Sequence, residues 1–136
     1  MVVRGVSSSI LSSISLLMET NRSGGRERHH LLHVPTCITG RPVLVIALHA
    51  LGSNPHLMEA MTLLSSRADQ LGFIVSYPEG TRSSVSGITS WNARFCCRGA
   101  QAEGVDDVLF ISDLIDALRD EHDVDRVLVT GFSNGG

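Results

Sequence analysis

The stretch Gly131-Phe132-Ser133-Asn134-Gly135-Gly136 stands directly behind the apolar run Val127-Leu128-Val129-Thr130, and this junction constrains the fold more than any other feature. A Gly-x-Ser-x-Gly sequence fed by a buried strand predicts a sharp strand-to-helix corner. The serine Oγ is held on strained backbone there, and the flanking glycines let two backbones meet where a Cβ would clash. The competing reading of the pentapeptide alone is an ordinary Gly/Ser turn after a strand, so the context upstream has to decide.

That context is an alternation of strands and helices. His29 to Val34 alternates loosely and ends at Pro35, which suggests an edge strand, and Arg41-Pro42 introduces Val43-Leu44-Val45-Ile46-Ala47-Leu48. A run apolar on both faces is what a central strand covered by helices on both sides requires. Ser53-Asn54-Pro55 reads as a helix start, with Asn54 as N-cap and Pro55 at the first helical position. Leu57, Met58, Met61, Leu64, Ala68 and Leu71 recur at helical spacing, and Gly72 can close the helix in a left-handed conformation. Phe73 to Tyr77 is the next strand and Pro78-Glu79-Gly80 its turn. Thr81 to Gly104 shows no sustained period and reads as a long functional or disulfide-tied loop. Asp106-Asp107 opens a second helix, where carboxylates suit the dipole, with Val108, Ile111, Leu114, Ile115 and Leu118 as the predicted buried stripe. Val124-Asp125-Arg126 leads into the last strand. This order implies an α/β architecture, a mainly parallel sheet with flanking helices, and it places Ser133 at the carboxyl end of a strand, where such sheets bind ligands.

Residues 1–27 stand apart from this pattern. Ser7-Ser8-Ser9, Ser12-Ser13 and Ser15 interrupt the apolar residues, and Asn21 to Arg28 is polar and glycine-rich. The segment reads as a loosely structured leader: a degraded secretory signal, or a frayed amphipathic segment too short to span a bilayer. Domain structure is expected from residue 28 to 136. A hydrophobic content of 43% with 18% charged residues fits a globular domain, and a net charge of −3 gives no basic footprint for nucleic acid or an anionic membrane. Cys37 and the adjacent pair Cys96-Cys97 leave at least one thiol unpaired within the chain. Adjacent cysteines bridge each other only with strain, so Cys37 or a residue outside the chain is the expected partner, and a buried free thiol is the alternative. The histidines show no zinc-ligand spacing with the cysteines, so no metal is expected.

A serine attacking a carbonyl needs a base to take its proton and donors for the oxyanion that develops. Ser133 is the candidate nucleophile. The backbone N–H of Asn134 is one candidate donor, and the other belongs to the loop after the central strand, His49-Ala50-Leu51-Gly52. Taken together, that loop, Tyr77-Pro78-Glu79-Gly80, Ser90-Trp91-Asn92-Ala93 with Cys96-Cys97, Val105-Asp106-Asp107-Val108, and Asp125-Arg126-Val127 running into Gly131 to Gly136 resemble the polyhydroxybutyrate depolymerase and feruloyl esterase family of α/β-hydrolases over residues 24–136.

The resemblance implies a serine carboxylesterase working through an acyl-enzyme, typically extracellular, on polyesters or hydroxycinnamoyl-decorated polysaccharide, with no cofactor. It implies Leu51 as the second backbone donor, Gly131 and Gly135 as the glycines of the corner, and His49 as a residue shaping the loop rather than the base. The family commonly has His-Gly where this chain has His49-Ala50, and alanine does not share glycine's access to positive φ. Trp91 is either a lining residue of the acyl site or a loop anchor. Asp106 and Asp107 precede the nucleophile, whereas the family order is serine, acid, histidine, so capping or an ion pair is their expected role. His29, His30, His33, His56 and His122 match no motif. On this reading the chain is the N-terminal half of an α/β-hydrolase fold, truncated at the nucleophile elbow, with acid and histidine supplied by later sequence and the 136 residues nearly inactive alone. The alternative is a non-catalytic binding or regulatory module that retains the half-fold.

Overall fold

The computed structural model describes residues 16–94, 96 and 98–136. Two strands, β1 (Leu16–Ser23) and β2 (Arg26–His33), form a hairpin, followed by β3 (Val43–Leu48), helices α1 (Pro55–Thr62) and α2 (Leu64–Leu71), and β4 (Ile74–Pro78). The short strands β5 (Thr81–Arg82) and β6 (Thr89–Ser90), helix α3 (Arg98–Ala102), helix α4 (Asp107–His122) and strand β7 (Arg126–Gly131) complete the order. The five long strands make one sheet, β1-β2-β4-β3-β7. Its inner part is parallel, β3 pairing with β4 on one side and β7 on the other, and the hairpin adds two antiparallel pairings, β1 with β2 and β2 with β4.

Because successive strand residues face opposite sides, neighbouring apolar residues split between two cores. Leu32, Leu44, Ile46 and Ile74 pack with Phe110, Leu114 and Leu118 of α4, while Leu31, Ala47, Val75 and Tyr77 pack with Met58 of α1 and Ala68 of α2. The uninterrupted apolar character of Val43 to Leu48 follows from this two-sided burial. Asn54 caps α1 through a bond from Leu57 N–H to its Oδ1 (2.9 Å) with Pro55 in the first turn, Gly72 closes α2 at φ 76°, and Asp106 caps α4 by accepting from Leu109 N–H (2.9 Å).

Several sequence expectations need correction. Residues 16–27, assigned above to a loose leader, belong to the sheet from Leu16 onward. Gly24 and Gly25, both at positive φ (56° and 75°), form a two-residue turn that sets the register Ser23 to Arg26, the geometry a tight hairpin requires. The leader's first 15 residues lie outside the described residues. The single helix expected from Pro55 to Leu71 is two, broken at Leu63 (φ 54°), and of its predicted stripe Leu57, Met61 and Leu71 are exposed. In α4 the buried stripe is Asp107, Phe110, Leu114 and Leu118, and Val108 is 83% exposed. The loop from Thr81 to Gly104 contains the β5–β6 pair and α3. Cys37 is free and exposed, so it makes no bridge to the Cys96-Cys97 pair; Cys97 lies outside the described residues.

Candidate active site

The loops after β3, β4 and β7 converge at the carboxyl ends of the parallel strands. Val43 to Leu48 runs in register with Arg126 to Gly131, so the chain leaves β7 level with the end of β3, and Phe132 N–H donates to Leu48 O (3.1 Å). It then turns within a single residue. Ser133 sits at φ 53°, a left-handed conformation that costs a non-glycine residue of order 1–3 kcal/mol and persists only where surrounding structure imposes it. What imposes it is visible at the flanking glycines: a Cβ on Gly131 would lie 2.0 Å from Gly135 O, and one on Gly135 2.5 Å from Leu48 O and 2.6 Å from His49 O.

Ser133 is exposed, and among the described residues its hydroxyl has no hydrogen-bond partner. A short 3-10 turn, Ser133–Gly135, follows; its first bond is Gly135 N–H to Phe132 O (3.0 Å), which leaves the Asn134 N–H ahead of the intrahelical bonding. In the loop after β3, Gly52 N–H donates to Thr89 O (2.8 Å) and Ser53 N–H to Ala50 O (3.1 Å), while the Leu51 N–H has no acceptor among the described residues. Ala50 does not adopt positive φ. The left-handed residue of this loop is Gly52, at φ 71°, so the alanine sits where any residue can.

His49 is fully buried. Its Nε2 accepts from Gly80 N–H (3.0 Å), so the ring proton is on Nδ1, which donates to Ala50 O (2.8 Å). Burial pushes its pKa down, partly opposed by the Ala50 carbonyl and by Glu79. With both nitrogens occupied and the neutral form favoured, His49 ties the loop after β3 to the loop after β4 and is not available as a base. The Gly80 contact needs glycine: a Cβ there would come 2.8 Å from Ser90 O.

Trp91 is 4% exposed and anchored. Its Nε1–H donates to His49 O (2.8 Å), its ring lies 5.2 Å from the imidazole, its backbone N–H donates to Asn134 Oδ1 (2.8 Å), and its carbonyl accepts from Asn134 Nδ2 (3.3 Å). These bonds anchor the loop, and Trp91 also lines a groove beside Asn134 and Gly135, so the two readings open in the sequence are compatible. The next residue is held from the other side. Asn92 N–H donates to Asp107 Oδ2 (2.7 Å), and Asp107 Oδ1 accepts from Arg28 Nη2 (2.8 Å) in a buried ion pair, with the guanidinium 3.9 Å above the Phe110 ring. Asp106 caps and Asp107 pairs, as their place before the serine predicts.

Ser133, Asn134, Gly131, Gly135, His49 and Trp91 therefore form one hydrogen-bonded and packed unit, with Leu51 on its rim at 46% exposure. The sequence gives no role to the side chains of Asn134, Asn92 and Arg28, and for Asp107 it predicts an ion pair without naming the partner. Asn134 was read for its backbone alone, and the partners of the other three lie 13 to 79 positions away, beyond any local signal. Among the described residues no group of three or more histidine, cysteine or carboxylate side chains could hold a metal ion, and no helix is long and apolar enough to cross a membrane.

Comparison with known proteins finds acetylxylan and feruloyl esterases among the curated relatives and further hydrolases among solved structures. The chain is 31% identical over 107 residues to feruloyl esterase B of Thermothelomyces thermophilus, covering 77% of the chain and 35% of that protein. It is 28% identical over 117 residues to a bifunctional acetylxylan esterase/xylanase of Neocallimastix patriciarum, covering 85% of the chain and 15% of that protein. Among solved structures, an acetyl xylan esterase from Aspergillus awamori superposes with a TM-score of 0.69 at 23% identity, over 89% of this chain and 43% of the other. A poly(3-hydroxybutyrate) depolymerase from Bordetella parapertussis does so at 0.58 and 13%, over 92% and 45%. The chain thus spans about a third or less of the curated relatives' length. No protein-family model matches it. The fold, the corner at Ser133 and these relatives agree that the chain belongs to the polyhydroxybutyrate depolymerase and feruloyl esterase family of α/β-hydrolases.

Proposed function

We propose that the chain supplies the nucleophile and the oxyanion donors of a serine carboxylic-ester hydrolase. Ser133 Oγ attacks the ester carbonyl, the carbonyl oxygen takes up negative charge against the N–H groups of Asn134 and Leu51, the alcohol leaves, and water hydrolyses the acyl-serine. The observation that carries this reading is the left-handed Ser133 at the exit of β7, exposed and braced by Gly131 and Gly135. The substrates are carboxylic esters of the kind the relatives' names record, acetylxylan and feruloyl esters, with poly(3-hydroxybutyrate) as the polymeric counterpart. An extracellular site of action fits these substrates and the disulfide-bonded state of Cys96, since disulfides persist in oxidising compartments.

The proton from Ser133 has no acceptor among the described residues, so the 136-residue chain is expected to hydrolyse a p-nitrophenyl ester no faster than its Ser133→Ala variant. Oxyanion stabilisation persists without the triad, at roughly 10³–10⁴ over water in serine proteases. Ser133 is therefore expected to be the serine modified, slowly, by a fluorophosphonate, with peptide mapping as the readout. Adducts spread over other serines, or none on Ser133 while they form elsewhere, would overturn the proposal.

A further inference from the structure

We infer that the Asn134 carboxamide is a positioning residue that couples the two oxyanion donors, which stand on separate loops, through Trp91. The inference rests on the donor roles proposed above for Asn134 and Leu51, but the coupling is a property of the hydrogen bonds alone. Asn134 is 7% exposed, and its side chain meets the backbone of Trp91 at two points, accepting from the N–H (2.8 Å) and donating to the carbonyl (3.3 Å), as a strand edge would. The Trp91 indole N–H carries the connection to His49 O (2.8 Å), and the His49 ring continues it to Ala50 O (2.8 Å) and Gly80 N–H (3.0 Å). One unbroken path thus runs from the residue after the nucleophile to the residue before Leu51. Every side chain on it is buried.

A buried amide that loses its partners leaves unsatisfied groups on both sides, so the path holds as a unit or opens as a unit. Within the loop Ala50–Ser53 only the bond of Ser53 to Ala50 is local, whereas Gly52 N–H donates to Thr89 O in β6, two residues before Trp91, so that bond loosens when the Trp91 anchor is released. Donors pre-set at fixed separation contribute to rate because they need no reorganisation as charge develops.

The test is hydrogen exchange of the 136-residue chain, which reads loop opening without requiring turnover. Asn134→Leu removes both polar contacts at similar volume, and exchange at the Gly80 and Gly52 amides is expected to rise about tenfold while Val45 and Ile46 of β3 are unchanged. Measured in acid, where a protonated carboxyl can both accept from Trp91 N–H and donate to Trp91 O, Asn134→Asp is expected to restore most of the protection. Should Asn134→Leu loosen β3 as well, Trp91→Phe decides. It removes the indole bond together with one ring of a side chain in the core cluster, and is expected to raise exchange at Gly80 and Gly52 but not at Phe132. Unchanged exchange at Gly80 and Gly52 in the variant that retains β3 protection, or no recovery in Asn134→Asp, would overturn the coupling. Failure of Ser133 to label with fluorophosphonate, with the exchange pattern as expected, would instead count against the esterase reading.

Discussion

Replacing Gly135 with alanine isolates the steric demand of the corner. No positive φ is involved at this position, so the cost is contact alone. The new Cβ would stand 2.5 Å from Leu48 O and 2.6 Å from His49 O, and both are backbone atoms at the end of the central strand. Those carbonyls must retreat by roughly 0.5–1 Å to regain ordinary van der Waals separation, and forced displacement of this kind costs about 1–3 kcal/mol. Each is also an acceptor already in use, Leu48 O from Phe132 N–H and His49 O from the Trp91 indole. Stretching those two bonds adds about 1 kcal/mol apiece, for a total of about 3–5 kcal/mol. Against a domain stability of about 5–15 kcal/mol this is a large fraction. Urea denaturation followed by the single tryptophan measures it, and with a slope of about 1–3 kcal/mol per molar the midpoint is expected to fall by roughly 2 M. Gly104→Ala is the control, since its Cβ meets nothing within 4 Å and the cost there is only that of φ 62°, about 1 kcal/mol. A Gly135→Ala loss no larger than that of Gly104→Ala would refute the argument that backbone approach, and not backbone flexibility, selects glycine at this site.

Burial, with a smaller contribution from the neighbouring His29, lowers the pKa of His30 from 6.5 to about 4. The unfolded chain therefore binds a proton that the native state refuses. The stability His30 confers is complete above pH 6.5 and is lost as pH falls toward 4, by about 3 kcal/mol, and His30→Gln is expected to flatten that part of the pH–stability curve. Arg28→Met leaves the Asp107 carboxylate buried without its cation and is expected to destabilise by about 3–5 kcal/mol in thermal or urea unfolding. Arg28→Met combined with Asp107→Leu is expected to lose less than Arg28→Met alone.

The parts of the fold legible in the sequence are those with local causes. Asn54 before Pro55, Gly72 after a helical stripe, Asp106 ahead of α4 and the unbroken apolar run of β3 each state their own structure. The hairpin of β1 and β2 does so only in part: His29 to Val34 reads as an edge strand, but β2 lies between β1 and β4, and β1, which is the true edge, is too polar to show itself. Arg28, His30 and His33 are buried, yet they are partnered by Asp107, Ser76 and, through Nε2 alone, Asp69 respectively, residues 79, 46 and 36 positions away, and without those partners in view the segment reads as solvated. The Gly24-Gly25 turn was the available signal. The break at Leu63 left none, since leucine has no preference for left-handed backbone. The stripe of α4 was misplaced for a related reason. Val108 fits the apolar spacing, but Asp107, paired to Arg28, occupies the inward position and turns Val108 to solvent. At the candidate site the corner and its glycines were readable because the strain has a sequence signature, whereas the clamp of Asn134 on Trp91 joins residues 43 positions apart and has none.

Strand β7 presents the remaining physical question, because it pairs with β3 alone among the described residues and forms one edge of the sheet. Leu128 and Val129 are 53% and 55% exposed, and as neighbours on a strand they face opposite sides, so the edge is apolar above and below. Phe132 adds a third side chain at 55%, and past the corner a groove of about 490 Å³ is lined by Leu48, Trp91, Ile111, Ile115 and Asn134. Burying the exposed halves of these three side chains would return roughly 2–4 kcal/mol, less than the entropy that association costs, so side-chain burial alone gives only weak self-association. The free N–H and C=O groups of the edge change that balance, since a second edge can satisfy them while covering the same side chains. Sedimentation is therefore expected to show mass rising with concentration, and Leu128→Lys, which places a charge on the edge, is expected to abolish the rise. A chain that stays monomeric up to roughly 1 mM, the range in which contacts worth about 4 kcal/mol become visible, would show that the backbone groups of β7 are not accessible for pairing.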